Sequence, residues 1–67
     1  MGRLWRLRRR HDHLDAVVIE RETDCALEFL LNDRPLVTWP FPNVADAAAE
    51  ADRRLRDLQR AGWTLHW

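Results

Sequence analysis

Residues 43–63, NVADAAAEADRRLRDLQRAGW, decide the fold, because they combine a helical period with a stop signal at each end. Asn43 follows Pro40, Phe41 and Pro42, a segment whose prolines do not continue a helix. Its short amide side chain suits the N-cap, where it accepts from a free amide near Asp46, and the Asp46 carboxylate suits the positive helix end. At about 100° per residue, Val44, Ala47, Ala48, Ala51, Leu55 and Leu58 share one arc. Asp46, Glu50, Arg53, Asp57 and Arg60 fill the other side. Glu50 with Arg54 and Asp52 with Arg56 place acid before base at a spacing of four, a modest support for the helix. Gly62 supplies the left-handed position after the last turn, and Trp63 is placed to fold back on Leu58. The spacing predicts a helix over 44–61.

The buried arc is alanine-rich at its start and leucine-rich at its end. Small residues let a helix axis approach a sheet, so large side chains from the sheet must fill the space, and Phe29, Trp39 and Phe41 are the expected ones.

Upstream of the helix the period changes from 3.6 to 2. Residues 3–10, RLWRLRRR, alternate with Trp5, Leu7 and Arg9 on one side and Leu4, Arg6, Arg8 and Arg10 on the other. A turn near His11 and Asp12 leads to a second strand over 14–21, centred on Ala16, Val17, Val18 and Ile19. Glu22, Thr23 and Asp24 make a polar turn into a third strand over 25–31. There Cys25, Leu27, Phe29 and Leu31 face one way and Ala26, Glu28 and Leu30 the other. Asn32, Asp33 and Arg34 suit a hairpin, since Asn and Asp tolerate positive φ. A fourth strand over 36–39 is closed by Pro40. Residues 63–67 alternate again, as a short fifth strand or as an irregular segment laying Trp63 and Trp67 over the core. The fold class is α+β: one domain over 1–67, a four-stranded antiparallel meander followed by one amphipathic helix across one face.

Sixty-seven residues bury a marginal core, and the usual remedies are disulfides, a metal or a partner subunit. Cys25 is the single cysteine, so an internal disulfide is ruled out and a reducing compartment is expected. The Arg-rich start runs into His11, Asp12, His13 and Asp15 rather than an apolar stretch, and Val17-Val18-Ile19 is too short to span a bilayer. The expectation is therefore a cytoplasmic protein without a membrane role.

With Trp5, Val17, Phe29 and Trp39 turned toward the helix, Leu4, Leu14, Ala16, Val18, Ala26, Leu30 and Leu36 point away from it. One helix does not cover both sets, and a surplus apolar face of that size marks an interface. The functional expectation is a small non-enzymatic binding or accessory module that forms a homodimer through its sheet, with Leu4, Leu14, Ala16, Val18, Leu30 and Leu36 as the self-association residues.

The alternative is nucleic-acid binding through the N-terminal strand, where Arg6, Arg8 and Arg10 would line one side about 7 Å apart. Eleven Arg balance eleven acids over the whole chain, yet five Arg and no acid fall in the first ten residues. Against this reading, Trp5 lies on the opposite side of that strand from Arg6 and Arg8, so one surface does not use both. A solvated basic edge that discourages strand pairing explains the same residues. His11, Asp12 and His13, with Asp15, Cys25 or His66 as completers, form the only cluster resembling a metal site, and no third ligand stands at a defining spacing. A solvated hairpin accounts for it, and no metal or cofactor is inferred. Two glycines make no phosphate loop, and no nucleophile stands at a readable spacing from a base. Neither catalysis nor a small-molecule substrate is expected.

Overall fold

The computed structural model describes residues 2–65. Four strands, β1 (Gly2–Arg9), β2 (Asp12–Glu20), β3 (Cys25–Leu31) and β4 (Arg34–Phe41), form an antiparallel meander. The helix α1 (Val44–Arg60) follows, and then a two-residue strand β5 (Thr64–Leu65). The sheet order is β4-β3-β2-β1-β5, so the chain leaves at one edge and returns at the other. Four strand spacings are about 19 Å, and seventeen helical residues span about 25 Å. The helix is therefore long enough to cross under the whole sheet and deliver β5 to β1, where Leu65 pairs with Leu7 and Thr64 with Arg8. His66 and Trp67, the last residues of the predicted alternating tail, lie outside the described residues. No helix among the described residues is long and apolar enough to cross a membrane.

The local signals act as their chemistry demands. Asn43 Oδ1 accepts from the Asp46 amide at 2.8 Å. At the other end Gly62 adopts φ +105°, the Gly62 amide bonds to the Gln59 carbonyl, and the Trp63 amide bonds back to Leu58. These two bonds are the pair that closes a helix on a left-handed residue. Asn32 and Asp33 both take positive φ, 52° and 69°, which is the backbone of the two-residue hairpin turn whose twist matches the strands it joins. Asn32 also ties the β1–β2 end of the sheet, accepting from the His13 amide and donating to Asp12, each at 3.0 Å. The second and fourth strands have other boundaries than expected. The second begins at Asp12 rather than Leu14 and ends at Glu20. The fourth begins at Arg34 and continues through Pro40 to Phe41, because β4 is an edge and its outward side needs no amide donor.

The core lies between α1 and one face of the sheet. Ala47 and Ala51 are buried and bring the helix against β2 and β3. Three rings fill the space that the alanines leave. Trp5 and Phe29 lie 5.6 Å apart between centroids, and Phe29 meets Trp39 edge-on at 5.4 Å. The Trp5 indole Nε1–H donates to the Ala51 carbonyl at 3.1 Å, tying the first strand to the middle of the helix. Leu7 and Leu27 are fully enclosed.

The assignment of sheet faces needs correction at β2, and at both bulges. Leu14, Ala16 and Val18 are buried in the core beneath the helix, paired across the ladder with Leu7, Trp5 and Leu27. Val17 is on the other face, opposite Arg3 and Glu28. A shift of one residue in a strand exchanges its two faces completely. Leu4 and Leu36 also leave the far face. Each sits where the ladder slips, between Arg3 and Trp5 in β1 and beside the Phe29–Leu30 slip in β4. An extra residue in a bulge breaks the alternation and redirects its side chain. Leu4 and Leu36 consequently line the two grooves that flank α1. Of the six expected self-association residues, Leu30 alone stays on the open face.

Candidate functional site

The face of the sheet that α1 does not cover is built in rows across the four long strands. One row reads Arg6, Asp15, Leu30 and Pro35, and the next reads Arg3, Val17, Glu28 and Thr38. A third joins Ile19, Ala26 and Pro40. An apolar track of Val17, Ile19, Ala26 and Leu30 thus runs along the two central strands, between a basic β1 and a polar β4. Its floor is tight. Val17 and Ala26 are 8% and 2% exposed with no second layer of described residues above them. Glu28 stands within the track, where its carboxylate accepts from Thr38 Oγ1 at 2.9 Å.

The buried charge beside the track is Asp15, 5% exposed. Arg6 on β1 clasps it through two bonds, Nε to Oδ1 at 2.7 Å and Nη2 to Oδ2 at 2.8 Å. This fork-to-fork geometry is the strongest that a guanidinium makes with a carboxylate. The hydrogen bonds from Arg6 hold the Asp15 carboxyl below its ordinary range, against the opposing push of burial, with the nearby Arg3 charge adding to the effect. The same bonds raise Arg6. An acid that is stronger in the folded chain than in the unfolded one stabilises the fold above the unfolded pKa, and that contribution fades as pH falls through the folded one. Asp15→Asn is therefore expected to melt below the parent at pH 7, with the gap closing below about pH 4. Parallel circular-dichroism melts across this range check it, and a gap independent of pH would count against the pair as the source.

Asp15 is also the signal that reading the sequence alone passed over. In β2 the phase 14, 16, 18 is wholly apolar, whereas the phase 15, 17, 19 contains a carboxylate. The charged phase faces out, and Arg6 across the ladder is its partner.

The expected nucleic-acid residues are not brought together as a free basic line. Arg6 is committed to Asp15 and also lies 3.9 Å from Asp33. Arg8 pairs across the ladder with His13, while Arg10 falls beyond β1 in the turn, with φ 57°. The described tryptophans are all packed into or against the core on the helix side. Two have cations stacked on them, Arg9 over Trp63 at 4.7 Å and Arg54 over Trp39 at 5.0 Å. Among the described residues the open face therefore offers no tryptophan or phenylalanine ring for a base to stack on.

Nor does the histidine cluster converge. His13 Nε2 lies 3.3 Å from Asp33, Asp12 binds Asn32, and Cys25 is buried at the far end of β3, opposite Glu20. Among the described residues no three His, Cys, Asp or Glu side chains group as a metal site would require. The two grooves beside α1, of about 320 and 310 Å³, are lined mainly by apolar side chains, among them Leu4, Trp5 and Leu55 in one and Leu36, Trp39 and Leu58 in the other. Their charged groups, Asp52 in the first and Arg54 and Asp57 in the second, belong to ion pairs along the helix.

Comparison with protein-family models, with curated proteins and with solved structures yields no match to this chain.

Proposed function

We propose that this chain is a small non-enzymatic binding module that acts as a homodimer, joined through the open face of its sheet. One observation supports the reading: an apolar track on β2 and β3 carries no covering layer of described residues, and its one buried carboxylate among them is already neutralised by Arg6. Burying such a face leaves no orphan charge at Asp15, which is the usual penalty for covering a mixed surface. The four long strands present a face of about 19 by 27 Å. Two such faces enclose on the order of 1,000 Å², the lower bound for a specific association. The edges fit this reading less well. β4 carries Pro35 and Pro40 and a bulge, devices that oppose further strand pairing, and part of β1 is covered by β5. The nucleic-acid alternative has weaker support, since Arg6 is already paired and the rings are turned away.

Leu30 is the test position, half-buried on the track and remote from the helix. Sedimentation velocity is expected to give twice the chain mass for the parent. Leu30→Asp is expected to give a folded monomer, with its circular-dichroism spectrum retained. A parent that stays monomeric at high concentration would refute the proposal.

A further inference from the structure

Resting on that self-association, we infer its geometry: the two copies meet face to face about a two-fold axis that runs along the strands between β2 and β3, so that Arg3 of one copy reaches the Glu28–Thr38 pair of the other. Two in-plane axes would bring open face to open face. An axis perpendicular to the strands lays β1 on β1 with its direction reversed and sets the arginines of that strand, Arg3 and Arg8 among them, against one another, a like-charge contact that costs several kcal/mol. An axis along the strands reverses the strand order instead, placing β1 over β4 and β2 over β3. It also keeps each row at its own level. Arg3, Val17, Glu28 and Thr38 share one row, so Arg3 lies over Thr38, beside the Glu28 carboxylate that Thr38 binds, in both halves of the dimer. Ile19 meets Ala26 by the same operation. The face carries arginines on β1 and the Glu28 carboxylate beyond its centre, with Asp15 already held by Arg6, and it is self-complementary under this axis, as an isologous interface requires. Aligned packing at roughly 30° is also how two twisted sheets settle.

Charge reversal separates this arrangement from self-association in general. Arg3→Glu alone sets Glu against Glu28 twice, and Glu28→Arg alone sets Arg against Arg3 twice. Each is expected to raise the dimer dissociation constant by at least about tenfold. Mixing the two variants forms two favourable contacts per heterodimer, so sedimentation velocity on the equimolar mixture is expected to recover the dimer. A mixture no heavier than its components, beside a dimeric parent, overturns the geometry while leaving self-association standing. A monomeric parent overturns both. Should either variant lose its circular-dichroism spectrum, the same contact is read from protein carrying Arg3→Cys, Thr38→Cys and Cys25→Ser. Positions 3 and 38 stand three strands apart in one chain, about 14 Å, whereas in the proposed dimer position 3 faces position 38 of the other copy across stacked sheets about 10 Å apart. That gap is too wide for a direct disulfide, so a short bis-maleimide is the probe: a cross-linked dimer is the expected product, and its absence refutes the arrangement.

Discussion

Val18→Asp is expected to leave no folded protein at room temperature, whereas Ile19→Asp, one residue further on, keeps the fold. Val18 is 4% exposed, between the ladder partners of β2 and the alanine stripe of α1, and no described cation faces it from the core. An unpaired carboxylate in that position costs several kcal/mol or forces a protonated, still poorly solvated acid. A domain of this length has only about 3 to 10 kcal/mol to lose. Ile19 projects from the opposite face and is half-buried, so within the separate chain the new charge stays in contact with water, and its cost falls on the dimer rather than on the fold. Far-ultraviolet circular dichroism of the two variants decides the matter. The reverse result, with Val18→Asp folded and Ile19→Asp unfolded, would mean that β2 is registered one residue from where the ladder places it.

Trp5→Ala is expected to lower the melting temperature by about 15 to 35 °C, from a cost of about 3 to 5 kcal/mol. Trp5 is the first ring in the Trp5–Phe29–Trp39 series, and its indole is the only hydrogen bond described between a strand side chain and the helix backbone. Ala47 and Ala51 contribute little volume on the facing side, so the cavity left by Trp5 has no neighbour that expands to fill it. Trp5→Phe separates the two contributions. It retains most of the ring packing and loses the bond to Ala51, for about 1 kcal/mol. The Ala51 carbonyl keeps the acceptor role that any mid-helix carbonyl has toward the amide four residues on. Melts of the three proteins, followed by circular dichroism, check this ranking. A Trp5→Ala protein within a few degrees of the parent would show that the first strand is not clamped to the helix.

Much of the fold is legible because its instructions are short-range. The Asn43 cap, the Gly62 stop and the Asn32–Asp33 turn each act through atoms at most five residues apart, and each has the geometry its residue types predict. The third strand has no slip against β2, and its two faces are those read from the alternation. Legibility ends where the period is interrupted. Leu4 and Leu36 alternate perfectly on paper, but each is the surplus residue at a slip in the ladder and turns toward the helix flank. In β2 both phases are apolar enough to be core, and Asp15 alone distinguishes them.

The sequence by itself determined the elements, their order and the side of the helix that is buried, since caps, turns and periodicity are local properties of the chain. Tertiary structure decided which face of β2 lies under the helix and which charges are free to act. Those outcomes depend on strand register, on the two bulges and on the meeting of Arg6 with Asp15 across a ladder, and no short window of sequence contains both partners.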